Sequence, residues 1–258
     1  MSSSAVDSFA EANKTHFDKV AHEYDEMPHA TERGRRSAEA LRNAYPFDEQ
    51  TTSVMEYACG TGLVSRELAP YSKRIVGVDI SQGMVDQFNK RVANQGISPD
   101  EMQAFCVELK GQAGELNDEK FDVIVCTSAY HHFESIQNVT NMLAYFLKPG
   151  GYLLVVDLLK GYSHHQHDHH KEHGHGHNHD HGTGHGHKEG AGEESDNTIF
   201  PKSVHHVVPH VGGLDEEDMR KTFEGAGLGS FTFKVVIDAM KDGKEVKLFL
   251  AKGVKPIV

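Results

Sequence analysis

Five short apolar runs constrain the fold of this chain more than any other feature: SVMEYA from Ser53, RIVGVDI from Arg74, MQAFCVEL from Met102, FDVIVCTS from Phe121 and GYLLVVDLL from Gly151. Each is six to nine residues of near-continuous hydrophobicity, the pattern of a strand buried on both faces. Between most of them lie helical patterns, LVSRELAPY, QGMVDQFNKRVANQ and SIQNVTNMLAYFL. Strands separated by helices predict a parallel sheet covered on both sides. The third connection, KGQAGELNDEK from Lys110, is polar and shows no clear helix.

The flanks complete the pattern. THFDKVAHEYDEM sets Phe17, Val20, Tyr24 and Met27 at three- and four-residue steps, which predicts an amphipathic helix, and ERGRRSAEALRNAY predicts a second. Near the C-terminus, LDEEDMRKTFEGAGL has an acidic first turn and a glycine stop, the marks of one more helix. SFTFKVVIDAM and EVKLFLAKG are strand-like runs joined through Asp242-Gly243, which predicts an antiparallel hairpin. From His164 to Asn197 the composition changes: twelve of the twenty histidines, many glycines and no large apolar residue. Such a stretch buries too little surface to offset its ordering entropy, so disorder is expected there. The expected organisation is one domain over 1–258: covering helices at 14–50, a core at 51–160, a disordered insertion at 162–198, and the last helix and hairpin at 199–258.

Composition narrows the function. A net charge of −12 with histidine neutral argues against a general binder of nucleic-acid backbones. No stretch is long and apolar enough to span a bilayer, and the N-terminus lacks a signal-peptide pattern. Cys59, Cys106 and Cys126 lie in or beside apolar runs and are odd in number, so a reducing compartment, cytoplasmic or also nuclear, is expected. Oligomeric state is not legible.

The first predicted strand, turn and helix, SVMEYA-CGTG-LVSRELAPY, form a ligand-binding pattern. Gly60 and Gly62 allow a sharp turn and close approach of a ligand, and the free N–H groups at the helix start attract an anion. Asp79 ends the next predicted strand, where a carboxylate can accept both hydroxyls of a ribose; capping the following helix is the structural alternative. A nucleoside with an anionic tail is therefore expected. The Gly-x-Gly-x-x-Gly pattern of nicotinamide dinucleotide proteins fits poorly, because a register starting at Ala58 places Leu63 at the third position.

The stretch Glu56-Tyr57-Ala58-Cys59-Gly60-Thr61-Gly62 resembles the acid plus Gly-x-Gly-x-Gly motif of the class I, Rossmann-like S-adenosylmethionine-dependent methyltransferases, small-molecule type, with Ala58 in place of the first glycine. FDKVAHEYD resembles the family's N-terminal cofactor-covering helix, VGVDIS its ribose-binding strand end, FDVIVCTSAYHHF and LKPGGYLLVVD its fourth and fifth strand regions, and GLDEEDMRKTFEGAGL its late helix. The resemblance implies a three-layer α/β/α sandwich whose sheet has seven mostly parallel strands and a C-terminal antiparallel hairpin. It implies S-adenosylmethionine as cofactor and methyl transfer in line to an acceptor.

It also implies a set of cofactor-binding residues: Tyr24, Glu56, Ala58, Cys59, Gly60, Gly62, Asp79, Ile80, Met84 and Glu108. Several have plainer readings. Tyr24 lies on the amphipathic face and can simply pack there. Cys59 is better read as a small packing residue than as a nucleophile. Glu108 and Glu115 are the acids nearest the expected adenine position, but ELKGQAGEL does not match the family's spacing. His131 and His132 follow the fourth strand, where methyl donor and acceptor should meet, so each is either pocket lining or a general base. His205, His206 and His210 are expected as surface loop residues. The acceptor is expected to be a small molecule, with a protein as the alternative. A protein that binds zinc, nickel or copper through its histidine-rich segment on the same scaffold is the rival class, though weak, unselective binding is expected of that segment and no fixed metal site.

Overall fold

The computed structural model describes residues 9–161, 198–241 and 244–257. The apolar runs become strands β1 (Ser53–Tyr57), β2 (Arg74–Asp79), β3 (Met102–Cys106), β4 (Phe121–Thr127) and β5 (Leu147–Leu158). The C-terminal runs become β6 (Gly229–Lys241) and β7 (Lys244–Val254). The helices are α1 (Phe9–Val20), α2 (Ala30–Ala44), α3 (Leu63–Leu68), α4 (Gln82–Asn94), α5 (Ile136–Phe146) and α6 (Glu216–Gly225).

One sheet holds seven strands in the order β3-β2-β1-β4-β5-β7-β6. The first five are parallel, and β7 runs antiparallel to both β5 and β6. The pairing of β6 with β7 extends to Lys241 and Lys244. Alternate side chains enter two cores. Val54, Val123, Val125 and Leu154 pack with Leu41 of α2, Leu68 of α3 and Phe88 of α4. Met55, Ile124, Leu153 and Val155 pack on the opposite face with Leu143 of α5 and Phe223 of α6. Helices on both faces of a mostly parallel sheet make the expected three-layer arrangement. From β1 the chain builds outward through β2 and β3, then returns to place β4 on β1's other side. The reversal leaves a crevice at the carboxyl ends of β1 and β4, where ligands of open α/β sheets bind.

Two details differ from the sequence pattern. The first amphipathic stretch does not run to Met27: α1 ends at Val20, and Tyr24–Glu26 form one 3-10 turn. Polar ties replace helical continuity. Asp18 accepts hydrogen bonds from the Ser81 hydroxyl (2.6 Å) and the Gly83 N–H (2.9 Å). Asp25 accepts from the Thr61 hydroxyl and pairs with Arg91 at 3.0 Å and Arg66 at 3.4 Å. These contacts fold the N-terminal segment over the loop after β1. The second difference is that helix α1 begins at Phe9, ahead of the covering segment expected from residue 14.

The third connection has no α-helix, as its polarity predicts. It is held by the Glu115 carboxylate, which accepts the Lys110 and Gln112 N–H groups at 2.8 and 2.9 Å. The expectation of disorder over the histidine-rich segment lies outside the described residues. The chain leaves β5 through a bridge of Leu159 to Leu214 and is tied again where Ile199 N–H donates to the Val211 carbonyl.

Candidate active site

The loop after β1 is built by backbone conformations that favour glycine. Gly60 and Gly62 have φ of +53° and +82°, and Ala58 is held at +54°. The two glycines are needed for different reasons. A Cβ on Gly62 would come within 2.6 Å of the Phe88 ring, so α4 itself demands a glycine there. A Cβ on Gly60 would meet only the Met84 sulfur at 4.0 Å, which leaves open space beside that backbone. Cys59 is buried, and its sulfur stands 2.9 Å from where a Cβ on Gly77 would be, so it packs in the gap that Gly77 leaves in β2. Burial pushes its thiol well above the usual range, which does not suit a nucleophile.

Two buried carboxylates fix the loop. Asp79 accepts the Gly60 N–H through one oxygen (2.8 Å) and the Ser81 N–H through the other (2.9 Å). Burial raises its pKa, and these backbone donors oppose the rise. The cap of α4 is Ser81, whose hydroxyl accepts the Met84 N–H at 3.1 Å; Asp79 is not the cap. Glu56, at 2% exposure, accepts from the Ser65 hydroxyl of α3, and burial pushes its carboxyl up to about 7. Glu56, Ala58, Cys59, Gly60, Thr61, Tyr24 and Ser128 line one narrow crevice. Ile80 is half-buried at the end of β2, where its carbonyl accepts from the Cys106 thiol.

That crevice shares Tyr24, Arg33 and Ser128 with a larger cavity of about 810 Å³. Its wall includes Phe17, Phe200, Val207, Val208, Ile237 and Leu248, with His131 and His132 among them. The two imidazoles lie in the turn after β4, ring centroids 4.2 Å apart, yet their surroundings differ. His131 Nδ1 stands 2.7 Å from Asp157 Oδ1, and its backbone N–H donates to Asp157 Oδ2 at 3.3 Å. Phe200 stacks on its ring at 4.9 Å. Burial alone would raise the Asp157 carboxyl, but the adjacent imidazole and the Leu158 N–H hold it below the usual range. His132 Nδ1 donates to the Val207 carbonyl at 2.7 Å, and burial together with His131 pushes this imidazole down to about 3. His132 therefore stays neutral in ordinary buffers.

Tyr24, Glu56, Ala58, Cys59 and Gly60 thus come together at the crevice, with Asp79 and Met84 against Gly60. Glu108 does not join them: it is exposed and paired with Lys110 at 2.6 Å. Glu115 serves its own loop. His206 is exposed as expected. His205 and His210 are instead half-buried, bonded through Nε2 to the carbonyls of Phe200 and Phe133, both at 3.0 Å. His210 fastens the returning chain to the end of the turn that carries His131, and His205 ties that chain to itself. Asp157 is the main residue that the sequence reading passed over, although an acid inside the run GYLLVVDLL carries the same signal that drew attention to Glu56.

Residues 55–155 match the family described as "Methyltransferase domain". An uncharacterized methyltransferase of Schizosaccharomyces pombe is 45% identical over 112 residues, covering 42% of this chain and 39% of that protein. A demethylmenaquinone methyltransferase of Bacteroides fragilis is 30% identical over 155 residues, 55% of this chain and 58% of that one. The chain thus spans about two fifths to three fifths of the length of these curated relatives. Among solved structures, phosphoethanolamine N-methyltransferase 2 of Haemonchus contortus, in complex with S-adenosyl-L-methionine, superposes with a TM-score of 0.62. That match covers 98% of this chain and 61% of the other at 12% identity, and so speaks for the fold alone. The fold is the class I, Rossmann-like methyltransferase fold, and residues 55–155 are the part of the chain that matches the methyltransferase-domain family.

Proposed function

We propose that the protein transfers a methyl group from S-adenosylmethionine to a small-molecule acceptor. The observation that carries this reading is the join between the glycine-loop crevice and the larger cavity at Tyr24, Arg33 and Ser128. The crevice holds only about 50 Å³ and the cavity about 810 Å³, so the crevice would take one part of a nucleoside and the cavity the rest together with an acceptor. The crevice fits the cofactor on its own chemistry. The open space beside Gly60 is one that a side chain would fill, and Asp79, by accepting the Gly60 N–H, fixes the backbone that borders it.

Bound S-adenosylmethionine supplies a methyl group on a positively charged sulfur, which needs no further activation. The chain's task is then to bind, orient and exclude water. Asp79 is placed to accept ribose hydroxyls in addition to its backbone donors, since each carboxylate oxygen has two acceptor sites. Glu56 offers a carboxylate that a nearby cation would hold ionised. Tyr24 lines both the crevice and the cavity, where an aromatic ring would favour a sulfonium. A dinucleotide is disfavoured: Leu63 stands where its motif wants glycine, and its Cβ is packed against Gly34 of α2.

Calorimetric titration with S-adenosylmethionine, S-adenosylhomocysteine and NAD tests the reading. Binding of the first two without the third is expected. Binding of NAD alone would overturn it.

A further inference from the structure

Resting on that reading, we propose that His131 and Asp157 form a proton-accepting pair and that the acceptor is a hydroxyl of phenol or enol type carried on an apolar body. The geometry points to this in three ways. First, the pair has the layout of an oriented base. Asp157 is fully buried and its two oxygens take the His131 ring Nδ1 and the His131 backbone N–H, so the ring is fixed and its proton sits on Nδ1. Phe200 stacked on the ring prevents rotation. Second, the opposite nitrogen is free. His131 lines the cavity, and its Nε2 has no hydrogen-bond partner among the described residues. A bare lone pair thus faces a space with Phe17, Val207, Val208, Ile237 and Leu248 in its wall. Third, the neighbouring imidazole cannot substitute. His132 has no carboxylate of its own to receive a charge; its Nδ1 is spent on the Val207 carbonyl.

The cavity wall also carries Glu32, Arg33, Arg36, Asp238 and Glu245, but Phe200 lies on His131 and Phe17 edge-on to His132, so an oriented base flanked by apolar rings selects an acceptor with an acidic O–H. A neutral amine can attack without a base, and an aliphatic alcohol is too weak an acid for an imidazole to assist well. In the balanced step, the acceptor oxygen passes its proton to His131 Nε2 and bonds the methyl carbon. The carbon–sulfur bond breaks with its electron pair left on sulfur as a neutral thioether. The positive charge so moves from sulfonium to imidazolium, which the Asp157 carboxylate stabilises, and the proton then leaves to water.

The test compares two phenols, 4-propylphenol, which is un-ionised at neutral pH, and 4-nitrophenol, much of which is already ionised. Transfer of radiolabelled methyl from S-adenosylmethionine is measured for wild type, His131→Gln and Asp157→Asn, with cofactor affinity measured calorimetrically for all three. Both variants should lose activity on 4-propylphenol by on the order of 10²–10⁴-fold. The loss on 4-nitrophenol should shrink to a few-fold, with cofactor affinity retained. A second readout needs no cofactor. Nitrogen-15 spectra of the free protein should show His131 protonated at Nδ1 and bare at Nε2, and Asp157→Asn, whose amide can donate to Nδ1, should move that proton to Nε2. Equal losses on both phenols, or no loss on either, would overturn the pair. Cofactor binding by wild type with transfer to an amine such as N-methylaniline but to neither phenol would overturn the acceptor class. Failure of wild type to bind S-adenosylmethionine would strike the underlying reading instead. If Asp157→Asn does not fold, His131→Gln and the wild-type tautomer decide the matter.

Discussion

The carboxylate of Asp79 accepts the amide N–H of Gly60 at 2.8 Å across nineteen residues of sequence. This bond ties the end of β2 to the loop after β1, so the residue best placed for a ribose also sets the path of the backbone that the rest of a nucleoside would approach. On the proposed function, Asp79 would act on a ligand both directly and through the loop.

Asp79→Ala should weaken S-adenosylmethionine binding by about 1.5–3 kcal/mol, the range for hydrogen bonds to a charged group, or roughly 10- to 150-fold. Asp79→Asn should fall between wild type and alanine, because an amide oxygen can keep only one of the two backbone donors. Stability need not fall with affinity: burial raises the pKa of Asp79, so its ionised form already costs the fold something near neutral pH. Calorimetric affinities and thermal unfolding of the same three proteins check this, and equal affinities would remove Asp79 from the site.

Glu56 predicts a pH dependence of stability. Its folded pKa is raised to about 7 from 4.5. The folded state therefore holds a proton that the unfolded state releases earlier. The stabilisation is fully present below about 4.5 and is lost as pH rises through 7. The swing attributable to this group is about 3 kcal/mol at most. Glu56→Gln, which keeps an acceptor for Ser65, should be flatter over that window when urea unfolding is followed at several pH values. Parallel profiles for wild type and variant would show that Glu56 is not the titrating group.

The three tight positions of the loop predict three different outcomes. Ala58→Gly should stabilise by about 0.5–1 kcal/mol, since relief of the +54° strain exceeds the added freedom of the unfolded chain. Gly62→Ala should destabilise by about 2–4 kcal/mol, because strain at +82° adds to a clash with Phe88 at 2.6 Å. Gly60→Ala should cost only about 1–2 kcal/mol of stability, from φ alone, but should greatly impair cofactor binding by filling the crevice. Denaturation midpoints combined with calorimetry separate these cases. Intact binding by Gly60→Ala would mean that no ligand approaches this backbone.

Much of this was legible in the sequence because it rests on local rules. Buried strands announce themselves as continuous apolar runs, and the glycine loop is followed at a fixed spacing by Asp79. Relationships across the chain were not legible. Nothing local tells that Gly62 answers to Phe88, twenty-six residues later. The end of α1 at Val20 depends on Asp18 and Asp25 finding partners on α4, α3 and the glycine loop, which amphipathic spacing does not register. The same holds for His131 and His132: adjacent and alike in sequence, they are separated in role by Asp157 and Val207, twenty-six and seventy-five residues away.

The twenty-four residues from His164 to His187 should prove dispensable for cofactor binding. The chain on either side has its own anchors. Lys160 N–H donates to the Leu214 carbonyl at 2.9 Å, Ile199 N–H donates to Val211 at 2.9 Å, and the Lys244 ammonium holds the Thr198 carbonyl at 3.2 Å. Replacing the segment with a Gly/Ser linker of a third its length changes closure entropy by only about 1 kcal/mol. Folding and S-adenosylmethionine affinity should therefore survive. Zinc or nickel retention should not, since the segment holds twelve histidines, and in the wild type that retention should weaken as pH falls and protons compete for the imidazoles. Phe200, which stacks on His131, lies only three residues into the returning described chain, so the linker variant also tests whether the segment positions that wall. Unchanged methyl transfer would show that the anchors at Thr198 and Ile199 suffice, whereas lost transfer with intact cofactor affinity would place the segment in the acceptor site.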